Sequence, residues 1–355
     1  MSRSVVISVD QLSRPQPGGI ASYVRGLLRG LSEVDTDIAL RALGPESALA
    51  LLDVPVPEAV VPLSARVTPK VWRYRAVGVP KGADVVHATS MAGPFGGARQ
   101  RQTVALHDLL WRDEPQATTA RGARFHENRL RYVLERDDLR LLTSSPLLPA
   151  RLLALGVDPA RLFPIRLGVD DAGVVPAPAT AVHHLLASAG VRGPFTLHAG
   201  TREPRKNTAA LVAAHRSARA SEPGLGPLVF VGPDGWGAAP TGDAVVLGSV
   251  SREMLLGLYR EATVVAYVPR AEGFGLPPVE ALRAGARVVA STTCPSVAEN
   301  LEVVRVDPFD VDAIADGLVT AAHLHTDEHA ALRRQASVAE LTWRNCALDH
   351  LAAWS

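Results

Sequence analysis

Apolar residues along this chain gather in short β-branched runs, and most runs are followed by a stretch whose apolar positions fall three and four apart. Strands exchanging with helices in this way predict α/β architecture with parallel sheets. In the first half, the runs 4–10, 37–43, 84–89, 103–108 and 140–145 predict strands, and 20–34, 121–137 and 146–155 predict helices. Past residue 168 the pattern loosens into a stretch from Asp170 to Pro178 containing Gly173 and Pro176, which reads as an interdomain linker. A second series follows, with strands near 195–200, 228–232, 244–248, 263–269 and 287–291 and helices near 208–219, 251–262 and 277–284. From about 310 to 355 the chain reads as helical throughout.

Two successive α/β series imply two Rossmann-like domains facing a central cleft, with ligands at the carboxyl ends of the strands. A length of 355 residues agrees with two domains. The expected boundaries are 1–170 and 171–335, with a final helix at 336–355 crossing back to the first domain. Apolar content of 47% and charged content of 21% describe a soluble globular chain with ample core. No apolar run has membrane-spanning length and the start, MSRSVVISVDQ, lacks a signal-peptide pattern, so the expected location is the cytoplasm. Two cysteines, Cys294 and Cys346, are too few for a disulfide framework, and neither has partners at metal-ligand spacing.

The formal net charge of +1 argues against a nucleic-acid partner. It conceals an asymmetry of +5 over residues 1–170 and −4 over 171–355. A mildly basic first half suits an anionic acceptor or a membrane surface, and equally serves solubility alone. The predicted helix 121–137 carries Arg121, Arg124, Arg129, Arg131 and Arg136, which admits a weak peripheral membrane contact at the inner face. Interspersed Glu127, Glu135, Asp137 and Asp138 favour a solvated, salt-bridged face instead.

Candidate chemistry concentrates in two segments. In the first, the strand 263–269 stops at Pro269, and the segment continues Arg270-Ala271-Glu272-Gly273-Phe274-Gly275-Leu276-Pro277-Pro278-Val279-Glu280. Gly273 and Gly275 permit a tight turn, and the two prolines suit the first turn of a helix. Glu272 then lies past a strand end and Glu280 in the first helical turn, with backbone amides between them as an anion site. Two carboxylates flanking an anion hole fit a ligand with hydroxyls at both ends and phosphates in the middle, the shape of a sugar nucleotide. In the second segment, the strand 195–200 runs into Gly200-Thr201-Arg202-Glu203-Pro204-Arg205-Lys206-Asn207, just before a helix. Arg205 and Lys206 stand at that threshold, where charge-assisted bonds to a diphosphate are strong. Lys206 is one of three lysines among 37 basic residues, which suggests that a compact ammonium is wanted there. Asn207 is placed to cap the helix. Elsewhere, Gly18 and Gly19 after Pro17 form a turn before a predicted helix, with Ser22 and Tyr23 just beyond. His107 with Asp108, and His87, end apolar strands.

The spacing of Glu272 and Glu280 resembles the Glu-x7-Glu signature of retaining GT-B glycosyltransferases, in particular the large family 4 (group 1). Gly200 to Asn207 resembles that family's Gly-Thr-x-x-Pro-Arg-Lys-Asn motif, and His107-Asp108 is similar to the His-Asp motif of members akin to bacterial mannosyltransferases. The resemblance spans nearly the whole chain and is dense from about 195 to 300. It implies an N-terminal acceptor domain and a C-terminal donor domain. Arg205 and Lys206 would bind the donor pyrophosphate without a metal ion, assisted by amides around Gly273, Phe274, Gly275 and Leu276. Glu280 would hold the ribose, and Glu272 and His107 the transferred sugar, with Asp108 supporting His107. Gly18 and Gly19 would lie over the phosphates beside Gly200 and Thr201. The His-Asp similarity leans towards GDP-mannose as donor, with UDP- and dTDP-sugars on the same scaffold, and a glycan, lipid-linked saccharide or small molecule as acceptor. Leu167 replaces a common Asn, Arg270 a common Ser, and Glu299 aligns with a family glutamate. Rival readings are an inactive sugar-nucleotide binder and a sugar-nucleotide epimerase. A nicotinamide-dependent dehydrogenase lacks its Gly-x-Gly-x-x-Gly after the first strand.

Overall fold

Every strand pairing among the described residues is parallel, and these strands fall into two sheets. The computed structural model describes residues 3–14, 18–72, 74, 77–95, 100–115, 118–170, 173–235, 241–297 and 301–355. Strands β1 (Arg3–Ser8), β2 (Ile38–Gly44), β3 (Glu58–Val60), β4 (Val85–Ala88), β5 (Arg101–Leu106), β6 (Leu139–Thr143) and β7 (Leu162–Pro164) form a seven-stranded sheet in the order β3-β2-β1-β4-β5-β6-β7. Strands β8 (Thr196–Ala199), β9 (Leu228–Val231), β10 (Val245–Gly248), β11 (Val264–Tyr267), β12 (Val288–Ser291) and β13 (Val304–Val306) form a six-stranded sheet in the order β10-β9-β8-β11-β12-β13. In β8, β9, β11 and β12 every residue is buried, the expected state of strands covered on both faces. Each sheet reverses its strand order once, at β1–β4 and at β8–β11, the switch point of a doubly wound fold.

The helices of seven residues or more are α1 (Gly18–Ser32), α2 (Ala120–Leu134), α3 (Leu148–Ala154), α4 (Ala179–Ser188), α5 (Thr208–Ser221), α6 (Arg252–Glu261), α7 (Leu276–Arg283), α8 (Val311–Ala322), α9 (Glu328–Ser337) and α10 (Trp343–Trp354). The chain divides into two compact units, one of residues 1–168 with 341–355 and one of 169–340. Strands β3, β7 and β13 were not expected, because three residues are too few to show a period. Helix α4 also escapes the pattern, since it starts directly after the proline-rich linker, with Pro178 as its N-cap. None of the described helices is long and apolar enough to cross a membrane.

Helix α10 belongs to the first unit, and glycine makes room for it. A Cβ built on Gly26 would lie 2.1 Å from the Trp343 ring, one on Gly30 2.0 Å from the Trp343 carbonyl, and one on Gly168 2.4 Å from the Trp343 nitrogen. At the other end of α10, Arg3 and Arg101 donate to the Trp354 carbonyl at 3.0 and 2.6 Å, and Arg140 donates to that of Ala353 at 2.5 Å. Cations thus meet the negative end of the helix dipole. Arg166 pairs with Asp349 at 2.7 Å. Arg129, expected on a basic helix face, is instead buried; it donates to the Pro69 carbonyl and lies over the rings of Phe95 and Phe125. Glu127 and Asp138 pair with Arg112 and Arg136, as a salt-bridged face requires.

Between these anchors runs a buried polar chain that corrects the expectation for His87. Far from opening on a ligand, His87 is wholly buried. The Trp354 indole can only donate, here to Thr103 Oγ1 at 3.2 Å, and the Cys346 carbonyl can only accept, here from His350 Nδ1 at 2.7 Å. These ends fix the direction: Thr103 donates to His87 Nδ1 (2.8 Å), His87 Nε2 to Tyr23 (2.8 Å), and Tyr23 to His350 Nε2 (2.7 Å). Both imidazoles are neutral in this arrangement, and burial pushes both below the usual histidine range, His350 down to about 4. Tyr23 is itself buried and belongs to the core.

A depressed histidine stabilises the fold above its unfolded pKa and loses that contribution as pH falls. Unfolding the first unit should therefore become easier between about pH 6.5 and 4, with His350 contributing roughly 3 kcal/mol. Thermal midpoints recorded across that window should fall less steeply for H350Q, which cannot take up the proton; an unchanged slope would remove His350 from the account.

Candidate active site

Strands β8 and β11 lie side by side at the point where their sheet reverses order, so the loops leaving their carboxyl ends diverge and open a gap. The loop after β8 carries Gly200, Thr201, Arg205 and Lys206, and the loop after β11 carries Arg270 and Glu272. Lys206 Nζ lies 2.5 Å from Glu272 Oε2 and 2.5 Å from the Tyr267 hydroxyl, which itself donates to the same Oε2 at 2.5 Å. Arg205 reaches Glu272 Oε1 at 3.1 Å and Glu203 at 2.6 Å, and donates to the Ala271 carbonyl at 3.0 Å. The two cations and Glu272 of the sequence-derived site are thus in direct contact.

Little water reaches this cluster: Lys206 retains 9% of its exposure and the Glu272 side chain 11%. Burial pushes Glu272 upward, but the charges of Lys206 and Arg205 and the hydrogen bonds from Lys206 and Tyr267 outweigh it and hold its carboxyl at about 2. Burial also opposes the charge on Arg205, yet Glu272 and Glu203 hold its guanidinium above the ordinary range. Burial and the Glu272 charge push the Tyr267 hydroxyl well up, so it keeps its proton and remains a donor. His198 stacks on the Tyr267 ring at 5.8 Å and donates from Nδ1 to the Ala266 carbonyl at 3.0 Å. Burial holds it down to about 4, so this neutral ring adds no charge beside Lys206.

Asn207 departs from its expected part. Its backbone is left-handed, at φ 59°. Its side chain makes no cap bond to α5 and donates instead to the Pro308 carbonyl at 2.7 Å. Its Oδ1 accepts from Arg270 Nε at 3.2 Å, and the Arg270 amide donates to the Arg205 carbonyl at 2.9 Å. The departure at Arg270 therefore ties the two loops together. The cation is exposed and pairs with no carboxylate among the described residues.

The turn after Glu272 is also more specific than expected. Because α7 begins at Leu276, Glu280 is its fifth residue and falls in the second turn, not the first. Pro277 and Pro278 supply no N–H, so the helix start offers fewer donors than an ordinary one. The Gly273 amide is engaged by Glu272 Oε1 at 3.0 Å, leaving the amides of Phe274, Gly275 and Leu276 without acceptors among the described residues. Gly275 has a φ of +91°, and a Cβ there would lie 2.1 Å from Cys294 Sγ. Burial and then Glu272 push that thiol up to about 12, so it is inert packing and not a nucleophile. Glu280 faces α6, taking bonds from Arg252 at 3.0 Å and Tyr259 at 3.1 Å, and lines a cavity of about 460 Å³ with Leu256, Arg260 and Arg283. The two glutamates thus have separate surroundings.

In the first unit, His107 Nε2 donates to the Thr89 carbonyl at 2.9 Å, and Nδ1 accepts from Ser144 Oγ at 3.0 Å. Burial lowers its pKa. Asp108 does not hold the ring as expected; its carboxylate accepts the Leu110 amide at 3.0 Å and acts on His107 through charge alone. Gly18 and Gly19 are the first residues of α1 and do not precede it, and both are exposed with open space where a Cβ would lie. Leu167 is core. Pro17 and Glu299 lie outside the described residues. Two residues were missed. Tyr267 reads in sequence as one more apolar strand position. Asp10, past the end of β1 at the other switch point, is buried; it accepts from Gln11 at 2.7 Å, and its Oδ1 has no partner among the described residues. Burial raises its pKa to about 6, against the lowering effect of Arg14.

Residues 194–323 match the family "Glycosyl transferases group 1". The chain is 29% identical to the O-antigen chain mannosyltransferase B of Escherichia coli over 271 residues, 72% of this chain and 70% of that one. Among solved structures, Anabaena HepE in complex with UDP and glucose superposes at a TM-score of 0.71 with 17% identity, covering 99% of this chain and 98% of that one. Sucrose-phosphate synthase from Thermosynechococcus elongatus gives 0.70 and 19%, with 99% and 98% covered. The chain is a glycosyltransferase of the GT-B fold. Its second unit carries the group 1 glycosyl transferase domain.

Replacing Gly275 by Ala should destabilise the second unit by roughly 2–4 kcal/mol, joining a left-handed backbone cost to an overpacked contact with Cys294. Adding C294A should restore the steric share and leave the backbone share. Denaturant unfolding of both variants checks this, and no recovery in the double variant would remove Cys294 as the obstacle.

Proposed function

We propose that the protein is a retaining family 4 enzyme that moves a hexose, mannose from GDP-mannose in the favoured case, to a glycan, lipid-linked or small-molecule acceptor. The observation that carries the transfer reading is the cluster of Arg205, Lys206 and Glu272 at the β8–β11 switch point, where a diphosphate can meet two cations and the amides of Phe274, Gly275 and Leu276, which have no acceptor among the described residues. In this reading residues 171–335 form the donor domain, 1–170 the acceptor domain, and 336–355 the helix that returns to the latter. Arg205 and Lys206 stabilise charge growing on the leaving diphosphate, an electrostatic task that requires no metal ion. Glu272 orients the transferred sugar and Glu280 the ribose. His107, with both ring nitrogens engaged, has no proton-transfer part. Attack from the leaving-group face, with retention, needs no covalent glycosyl-enzyme, and neither glutamate is a nucleophile. The favoured location is the cytoplasm, at the inner face of the membrane if the acceptor is lipid-linked.

Likeness to a mannosyltransferase supports GDP-mannose. A second reading, a UDP-sugar donor, is favoured by the UDP bound to HepE, a neighbour in fold alone. Thermal shifts with GDP, UDP and dTDP separate these readings, since the correct nucleotide raises the midpoint by mass action. With the donor found, K206A should lower kcat by about 10²–10³-fold, the usual effect of removing one transition-state donor. Product configuration by NMR should show retention; inversion would end the proposed mechanism.

A further inference from the structure

The cations assigned to the diphosphate are not waiting for it. Arg205 and Lys206 carry two positive charges, and Glu272 and Glu203, both within 3.1 Å of them, carry two negative ones. These four groups together are therefore neutral, and Glu272 takes one donor of Lys206 and one of Arg205 that phosphate oxygens could otherwise receive. Two of the three N–H bonds of Lys206 point to Glu272 Oε2 and the Tyr267 hydroxyl, so a diphosphate that draws on more than the third competes with Glu272.

We propose that Glu272 is an internal counter-anion that occupies Arg205 and Lys206 in the free enzyme, is displaced by the donor diphosphate, and returns to help expel the nucleoside diphosphate product, with Tyr267 as the positioning residue that keeps it in register. This rests on the donor-site reading above. Three features of the site support an exchange over a fixed structural pair. Glu272 lies in the loop beyond the end of β11 and is followed by Gly273 and Gly275, in a turn with two glycines. The amides of Phe274, Gly275 and Leu276 have no acceptor among the described residues and can receive phosphate oxygens once the carboxylate moves. Arg270, at the rim and without a carboxylate partner among the described residues, supplies the unmatched charge that draws an anion to an otherwise neutral cluster. Displaced from the cations, Glu272 is free to accept from sugar hydroxyls. When the sugar has left, the competition between carboxylate and diphosphate for the same two cations resumes. Tyr267 serves both states: its hydroxyl donates to Glu272 now, and its ring lies beneath Lys206 Nζ at 5.0 Å, so the ammonium stays in place while its anion changes.

The exchange predicts that removing the competing charge tightens product binding, a gain that damage to the site cannot mimic. Calorimetric titration of wild type, E272Q, E203Q and Y267F with GDP, UDP and dTDP reads it directly. E272Q should bind the preferred nucleoside diphosphate about ten- to hundredfold more tightly than wild type, the usual range for a charged hydrogen bond no longer in competition. Its kcat should fall more than its KM, because the sugar contact is lost. Y267F, the milder variant should E272Q fail to fold, should tighten binding severalfold in the same direction. Equal or weaker binding by E272Q and Y267F overturns the exchange while leaving the donor site standing. Equal tightening by E203Q and E272Q also overturns it, by reducing the effect to net charge. Failure of wild type to bind GDP, UDP or dTDP removes the donor-site reading and this inference with it.

Discussion

Everything at the site depends on one topological constraint, the reversal of strand order beside β8. Parallel strands need crossovers, and crossovers of fixed hand on either side of β8 carry the chain in opposite directions. The loops leaving β8 and β11 therefore part, and the space between them is where side chains from distant segments can meet. Residues 205 and 272 are far apart in sequence, yet the register of Val264 with Thr196 brings their loops within hydrogen-bonding reach. The same reversal occurs beside β1 in the first unit, where Asp10 and His107 lie on loops that follow strand ends.

What fills the gap in the second unit is charge held away from water. In bulk solvent a lysine and a glutamate at the surface contribute little to stability. Here both are nearly buried, and each is stabilised by the other and by a tyrosine that cannot release its proton. Breaking such a pair without replacing one partner is costly, whereas exchanging one anion for another is not. In the exchange proposed for Glu272, that asymmetry is what lets an anionic ligand take its place. The neutral His198 beneath Tyr267 fits the same logic, because a second cation there would compete with Lys206 for the same carboxylate.

The first unit is closed by its last helix. Three glycines accept the Trp343 backbone and ring, three arginines at strand beginnings receive the final carbonyls, and a directed chain of hydrogen bonds joins Trp354 to Cys346 through two neutral histidines. Tyr23 links this chain to His107, whose ring packs on its own at 4.9 Å. The end of the polypeptide is in this way part of the core that holds His107.

Alternation of apolar runs with helical spacing was enough to specify an α/β chain with two parallel sheets, and all the longer strands lie within a few residues of where the pattern puts them. The fully buried β8, β9, β11 and β12 are legible because their burial on both faces makes every residue but His198 apolar or small. Glycines at 273 and 275, and the basic pair at 205 and 206, likewise announce a turn and an anion site by residue type alone. Strands of three residues carry no period and stayed hidden. So did Gly26 and Gly30, whose reason is a tryptophan more than three hundred residues away. Tyr267 is indistinguishable in sequence from an apolar core position, and His87 from a ligand-facing strand end; burial, which depends on what packs above each of them, decided both. Asn207 has the chemistry of a helix cap and was turned from it by a left-handed backbone and a carbonyl from a distant loop. The sequence by itself determined which charges the protein possesses and roughly which loops carry them. The tertiary structure alone decided that Glu272 neutralises the cations beside it, because the partners of a charge are set by distance and solvent exclusion, and neither is written along the chain.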